Sequence, residues 1–482
     1  MTQAESTATF WTLCLDCQGR GKKSKRISKK VRFQYTVALQ LYYANNQCGA
    51  LPVKPKGHLF SCPHCTGSGI IATLAPAQAD TQNFPHVAII GAGIGGVALA
   101  VACLHRKIPF TLFERDLNFD ARSQGYGLTL QQASKALDEF GINSLKDGVI
   151  STKHVVHTTD GTIIGEWGMR KWMQSKENKK PKNPNIHIAR QALRLALLEQ
   201  LGGHHKVKWG HQLADFQQTN KNVTLKFQVN GTTQYFNAGL VVGADGIRST
   251  VRKILFGAYH FKLRYLGCIV ILGICPLHHL ENLKSPLLDS ATVFQTANGN
   301  ERIYIMPYTT DSVMWQLSFP MLEKDALALS KRGKQALKVE AILRTQWHQP
   351  IPEIVAFTQE IQISGYPVYD RQMLQKEHFK NAAAVTLLGD AAHPMSPFKG
   401  QGANQALLDA LSLARTITKE CFLNSDWEKR GIRESVLQVF ESEMIIRSAV
   451  KVHDSAAAAQ FLHSQTVLKA NNSPRGSGLI KK

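Results

Sequence analysis

Two kinds of residue spacing in this chain could carry chemistry. The first is Gly91-Ala-Gly93-Ile-Gly-Gly96, set between the apolar run His86-Val-Ala-Ile-Ile90 and a helix expected over Val97 to Leu104. Gly91 permits a tight turn, Gly93 lets the backbone approach a pyrophosphate, and Gly96 lets helix pack on strand, with the helix amino terminus facing the phosphate charge. A second strand, Phe110-Thr-Leu-Phe113, ends at Glu114, whose carboxylate can accept hydrogen bonds from a ribose 2′-hydroxyl. A carboxylate there disfavours a 2′-phosphate on the bound nucleotide. The second spacing is a repeat, Cys14-Leu-Asp-Cys17-Gln-Gly-Arg-Gly21 and Cys62-Pro-His-Cys65-Thr-Gly-Ser-Gly69. Four thiolates on two turns suit a closed tetrahedral Zn2+ site, structural because no position is left for water. The glycines after each pair let backbone amides turn toward the sulfurs. A redox-active thiol pair, or a site drawing on Cys48 or His64, stays open.

Two later stretches add to the first spacing. In Leu240-Val-Val-Gly-Ala-Asp245-Gly246-Ile-Arg-Ser249 a buried strand ends in Asp-Gly and enters a helix, which is equally what an ordinary turn with a capping serine looks like. In Leu387-Leu-Gly389-Asp390-Ala-Ala-His393-Pro-Met-Ser-Pro397-Phe-Lys-Gly400-Gln-Gly402-Ala-Asn404 an apolar strand delivers Asp390 to a loop stiffened by two prolines. Gly400 and Gly402 then open a helix whose free amides suit an electron-rich heterocycle that becomes anionic on reduction.

These three stretches, in this order, resemble the flavin-dependent aromatic monooxygenases of the para-hydroxybenzoate hydroxylase type, including the tetracycline-inactivating monooxygenases, over about His86 to Lys419. The resemblance implies FAD, with Gly91, Gly93 and Gly96 on the pyrophosphate and Glu114, followed by Arg115, at the adenosine ribose. It implies Asp245 and Gly246 for FAD and NAD(P)H, and Gly389 and Asp390 for the ribityl or ribose portion. Gly400 and Gly402 would face the isoalloxazine, with Pro397 and Asn404 on the same stretch. Arg190 matches a family FAD contact and Arg122 an NADPH contact of the tetracycline-inactivating branch, in which the position of Thr129 is an aspartate; that departure counts against tetracycline. The implied reaction is hydroxylation of a phenol-like small molecule: NAD(P)H reduces the flavin, O2 adds at C4a, and the hydroperoxide passes its terminal oxygen to the ring. With one dinucleotide fingerprint, NAD(P)H visits rather than resides. No catalytic base is assigned, since His187 and His393 read more simply as structural hydrogen-bonders. The pattern Trp-x-Trp-x-Ile-Pro of tryptophan halogenases is absent, the nearest segment being Met314-Trp315-Gln-Leu-Ser-Phe-Pro320. The cysteine repeats resemble the zinc knuckles of the DnaJ cysteine-rich domain, but two repeats stand where that domain has four, so no chaperone role is carried over.

The elements that must position these residues can be outlined. A chain of 482 residues, 44% hydrophobic and 19% charged, has the material for more than one core. The expected architecture is α/β: a Rossmann-like FAD-binding domain in three pieces (84–152, 186–260 and 366–425) with an inserted mixed-sheet substrate domain (153–185 and 261–365). To these are added a zinc-knuckle module over 1–83, helices over 426–469 and a flexible tail over 470–482. The ring-holding surface is expected on the mixed sheet around Tyr304, Met306, Tyr308 and Trp315, and the alternation of Val31, Phe33, Tyr35 and Val37 reads as a short strand. The apolar run Tyr265 to Leu277 is too short to span a bilayer, and Met1 to Leu15 lacks a basic n-region, so a cytoplasmic protein is expected. The formal charge of +22 invites a polyanion partner. Ten Lys and Arg against three acids precede Phe84, and Lys176, Lys179, Lys180 and Lys182 form a second cluster. Because the basic stretch between the knuckles lacks interleaved aromatics, nucleic acid is not the expected partner, and an adaptor that has lost catalysis is the alternative of a different class.

Overall fold

A computed structural model describes residues 10–45, 51–55, 57–121, 126–170, 185–219, 222–257, 262–421 and 425–475. Arg122, Cys48 and the cluster Lys176 to Lys182 lie outside the described residues, as do 476–482. The chain divides into two compact units, Met1–Gln78 with His105–Lys107, and Ala79–Leu104 with Ile108–Lys482.

In the larger unit, five short strands form a parallel sheet in the order Val207–Lys208, Phe110–Phe113, Val87–Ile90, Leu240–Gly243, Val385–Leu387. The three on the Val87 side of its far edge are buried along their whole length, which is why they read as continuous apolar runs rather than alternating ones. The glycine turn after Ile90 leads into the helix Ile94–His105, three residues earlier than expected, because Gly95 and Gly96 lie inside its first turn. A seven-stranded mixed sheet runs Ile163–Trp167, Lys153–His157, Thr292–Ala297, Arg302–Thr309, Ser312–Pro320, Leu263–Pro276, Ile363–Arg371. All its neighbours are antiparallel except Thr292–Ala297 against Lys153–His157.

The alternation of side chains gives this sheet two faces. Ile269, Ile271, Trp315, Leu317 and Phe319 form a core with Ala326, Leu337, Ile351 and Ile354 of the helices Glu323–Lys331, Lys334–Arg344 and Ile351–Phe357. Trp315 is therefore a core residue, its indole donating to Thr358 Oγ1 at 2.8 Å, and not part of a ring-holding surface. The strand Ile363–Arg371 crosses the boundary drawn at 365/366, so the sheet claims residues up to Arg371.

Two helices, Gly402–Glu420 and Gln438–Leu462, follow. Asn471 to Arg475, where a free tail is expected, are tied down instead. Asn471 N and Arg475 Nη2 donate to Ile164 O at 3.0 and 3.1 Å, and Glu166 N donates to Asn472 Oδ1 at 3.0 Å.

In the smaller unit, two antiparallel pairs, Phe10–Leu13 with Ile70–Thr73 and Lys22–Ser24 with Leu59–Ser61, carry the cysteine turns. The expected strand at Val31 to Val37 is part of the helix Lys29–Ala44, capped by Ser28 Oγ accepting from Val31 N. No residue of this helix is buried. Its apolar alternation thus reports no sheet face, and a stretch free of Gly and Pro behind a serine cap takes its helical preference.

Candidate functional site

A cavity of about 950 Å³ opens in the larger unit. It is lined by Gly93, Ile94, Arg190, Gly246, Gly389, Asp390 and the stretch Pro394 to Ala403, and by Gln295, Arg302, Tyr304, Met306, Met314 and Gln316 of the mixed sheet. Of the sequence-assigned residues, Gly93, Arg190, Gly246, Gly389, Asp390, Pro397, Gly400 and Gly402 come together here.

The three fingerprint glycines have separate reasons to be glycine. Gly91 takes φ +104°, and a Cβ on it would meet Ala244 O at 2.7 Å. A Cβ on Gly96 would lie 1.8 Å from Gly91 O, so helix and turn can meet only there. At Gly93 a Cβ meets only Arg190 Nη2, at 3.7 Å, and the remaining space belongs to the cavity. Gly93→Ala is accordingly expected to leave the melting temperature near that of the wild type while weakening FAD binding at least about tenfold, read by isothermal titration of the flavin-free protein.

Behind this turn Glu114 braces the backbone. Its Oε2 accepts from Ala92 N at 2.7 Å and its Oε1 from Asp116 N at 3.1 Å. Arg194, which sequence reasoning passed over, lies one helical turn after Arg190 and donates through Nε to Ala92 O at 2.7 Å. Its guanidinium sits 4.8 Å from the ring centre of Phe119. Arg190 itself lies 5.5 Å from the ring centre of Tyr126.

Arg115, Asp245 and Asn404, like Gly91, Gly96 and Glu114, do not line this cavity. Arg115 is exposed. Asp245 spends its carboxylate on its own helix: Oδ1 accepts from Ser249 Oγ at 2.5 Å, and Oδ2 from Thr250 N at 2.6 Å and Val251 N at 3.2 Å. The capping description of that motif is therefore the one that fits its side chain. Asn404 is 1% exposed and fully used by protein: Nδ2 donates to Thr129 O and Gly400 O at 2.9 and 2.8 Å, and Oδ1 accepts from Gln131 N and Ala133 N at 2.9 and 3.2 Å. It fastens the Gly402 helix to the segment after Thr129 and has no donor left for a cofactor.

Asp390 presents its accessible surface to the cavity it lines, and the enclosing protein raises its carboxyl above the usual range although His393 and Arg190 pull the other way. The Gly389 turn that carries it is held from behind. Asp409 Oδ2 accepts from Gly389 N at 2.9 Å and pairs with His393 Nε2 at 2.7 Å, while Oδ1 pairs with Arg447 Nη2 at 2.7 Å. His393 is thus a structural hydrogen-bonder. His187 is another, with Nδ1 at 3.0 Å from Thr129 Oγ1 and burial pushing it down to about 3, so that it stays neutral.

Burial works against the Asp409 charge, but His393 and Arg447 outweigh it and hold the carboxyl below its ordinary range. A lowered pKa adds stability above the unfolded value near 3.9, lost as pH falls through the folded value. Asp409→Asn is expected to cost about 3–5 kcal/mol, because it removes the buried carboxylate that pairs with Arg447 and accepts from Gly389 N. It should also flatten the acid limb of the plot of melting temperature against pH, which thermal denaturation between pH 3 and 7 checks.

In the smaller unit the four cysteines meet. Their sulfurs all lie within 4.8 Å of one another, and all four residues are buried. A tetrahedron of Zn–S bonds of about 2.3 Å has S···S edges of about 3.8 Å; Cys17 Sγ and Cys65 Sγ are 3.7 Å apart. The two repeats are tied reciprocally. Cys14 N donates to Gly69 O and Cys62 N to Gly21 O, both at 2.9 Å. Gly21 N donates to Cys17 Sγ at 3.3 Å and Gly69 N to Cys65 Sγ at 3.1 Å, the amide support that thiolate ligands use.

The chain is similar to the FAD-dependent monooxygenase thnD of Trichoderma harzianum, 25% identical over 76% of this chain and 91% of that protein. Among solved structures it resembles 2,6-dihydroxypyridine-3-hydroxylase of Arthrobacter nicotinovorans, with a TM-score of 0.64 and 18% identity over 84% of this chain and 99% of that one. It also resembles Klebsiella pneumoniae HpxO complexed with FAD and uric acid, with a TM-score of 0.64 and 18% identity over 79% and 89%. A family model described as FAD binding domain matches residues 85–421, the span that holds the glycine turn, Arg190 and the Asp390 loop, and the chain belongs to that family.

Proposed function

We propose that this protein is an FAD-dependent monooxygenase that uses NAD(P)H and O2 to hydroxylate a small, electron-rich aromatic ring. The observation that carries this reading is that one cavity is lined both by Gly93, Arg190 and the Asp390 loop and by a sheet face of methionines, tyrosine and glutamines. Gly93, the amino end of the Ile94–His105 helix and Arg190 would hold the pyrophosphate. Glu114, with lone pairs to spare on both oxygens, would take the adenosine ribose. Asp390 would take the ribityl hydroxyls, and the amides at Gly400 to Gly402 would face the isoalloxazine. When bound, FAD supplies the redox chemistry and the activation of O2. The chain's part is to orient the ring against Tyr126, Met306 and Met314 and to keep water out.

We further propose one structural Zn2+ on Cys14, Cys17, Cys62 and Cys65. Among the remaining described cysteines, Cys268, Cys275 and Cys421 are buried and form no disulfide, which supports a reducing, cytoplasmic setting. No described helix is long and apolar enough to cross a membrane. A panel of phenols and hydroxylated heteroaromatics tests the enzyme reading. At least one member should accelerate NAD(P)H oxidation by the FAD-loaded protein and yield a product 16 Da heavier; acceleration by none of them counts against an aromatic substrate.

A further inference from the structure

The smaller unit gathers cations and exposed apolar side chains on the same elements. Between Asp16 and Asp80 the sequence holds ten Lys and Arg and no acid, and Asp16 itself is taken by Lys23, whose Nζ lies 2.8 Å from its Oδ1. Among the described residues, 11 of the 26 exposed large hydrophobic side chains lie in the short stretch from Phe10 to Leu74. The helix Lys29–Ala44 concentrates both features. Phe33, Val37 and Leu41 follow at four-residue spacing and form one row along it, with Lys30 one turn before Phe33 on the same side. Phe33 is 69% and Leu41 58% exposed.

Beyond its Ser28 cap, this helix lacks what ordinarily holds one. It buries no residue, and its first turn carries Lys29, Lys30 and Arg32 without an acid, cations set against the positive end of the helix dipole. A helix of 16 residues in that condition is marginal in water. The same pattern recurs on the pair Lys22–Ser24 with Leu59–Ser61, where Leu59, 59% exposed, stands opposite Ser24 between the exposed Lys22 and Lys25 of the facing segment. A bilayer with anionic headgroups offsets both costs. Its phosphates and carboxylates meet the cations, and the acyl boundary takes up apolar side chains that stand singly among lysines, with no shape complementarity required. On a nucleic acid Val37, Leu41 and Leu59 would have no role, since aliphatic side chains neither stack on bases nor meet phosphates.

We propose that the helix Lys29–Ala44, with the Lys22–Ser24 and Leu59–Ser61 pair, docks the smaller unit on the surface of an anionic phospholipid bilayer, its cations among the headgroups and Phe33, Leu41 and Leu59 in the acyl boundary. No described helix can cross the bilayer, so the association is peripheral. The proposal is independent of what the cavity in the larger unit binds, and its test reads no activity.

The full chain is sedimented with vesicles of phosphatidylcholine alone and of phosphatidylcholine with about 30 mol% phosphatidylserine. It should partition onto the anionic vesicles at least about tenfold more strongly than onto the neutral ones, and lose at least about fivefold as salt rises from about 0.1 to about 0.5 M. Lys29→Gln with Lys30→Gln should weaken binding about tenfold, and Phe33→Ser with Leu41→Ser, which leaves the charge unchanged, by at least as much. None of these four side chains is buried, so the fold is not at stake, and the comparison of the two vesicles in the wild type decides without any variant. The proposal is overturned if the chain ignores both vesicles, if it binds neutral ones as well as anionic ones, or if either pair of substitutions leaves binding at its wild-type value. Polyglutamate or single-stranded RNA that strips the chain from the vesicles at equal charge concentration would overturn it too, and would assign the face to an acidic protein or to a nucleic acid.

Discussion

Gly96→Ala is expected to abolish FAD-loaded protein altogether. One methyl is a small change, but its Cβ would lie 1.8 Å from the carbonyl oxygen of Gly91 and within 3.3 Å of Ala244 Cβ. Neither obstacle is the end of a flexible side chain. To relieve it, the helix Ile94–His105 must lift off the sheet through a layer made of Val97, Ala98, Val101 and Ala102, all 0% exposed. Close-packed interiors do not yield by that much, and the cost lies at or beyond the upper end of the about 1–3 kcal/mol usual for overpacking. The same shift would move the helix amino terminus and the Gly93 backbone away from where we propose the pyrophosphate binds. Soluble yield and the absorbance ratio at 450 and 280 nm check this. Gly93→Ala is the control for soluble yield, because it places the same methyl in open cavity; soluble Gly96→Ala protein carrying a full complement of FAD would show that the close approach is dispensable.

The second large effect concerns the four cysteines. Apparent binding free energies for structural Zn2+ in small cysteine-bearing domains reach about 10–16 kcal/mol at neutral pH. The smaller unit has little else to hold it: among its described residues the buried apolar set is the four cysteines and Ile70, and its helix Lys29–Ala44 buries no residue. Elemental analysis is expected to find one zinc per chain. Removing it with a strong chelator, or replacing Cys17 by Ser, should unfold residues 10–78, read as rapid proteolysis confined to that stretch. A metal-free protein that remains protease-resistant there would leave the cysteines without a structural ion. Cys17 is the better position to change than Cys62, since Cys17 Sγ both accepts from Gly21 N and lies in contact with Cys65 Sγ.

What the sequence revealed and what it hid follow one physical line. The glycine turn was legible because its requirement is steric: only Gly fits at 91 and 96, and the strand and helix around them are marked by apolar runs that burial demands. The cysteine repeat was legible because ligand spacing on two turns fixes the geometry. Polar side chains inside the same motifs were not, because a carboxylate or amide beside a cofactor and one that serves the backbone are spelled alike. Asp245 and Asn404 both turned out to serve the backbone. Asp409 and Arg447, which hold the Asp390 loop, carry no local signal, since their partners are 16 to 42 residues away in sequence. Arg302 looked like an ordinary charged residue at a strand start, and only the register across three strands shows that it lies beside Tyr304 and Gln316 on one face.

Charge follows the same logic. The excess of +22 suggested a polyanion, but cations such as Arg190, Arg194 and Arg302 stand in or behind the cavity in which we propose that the dinucleotide and substrate bind. A basic field around such a cavity steers dinucleotides without any polymer.

The most direct test of the central claim is the origin of the oxygen atom. The FAD-loaded protein, NAD(P)H and the most stimulating compound of the aromatic panel are incubated under 18O2 in ordinary water, and the product is weighed by mass spectrometry. One 18O atom per hydroxylated product is the predicted result. NAD(P)H consumption that ends only in hydrogen peroxide across the whole panel, or a hydroxyl group drawn from water, would contradict it.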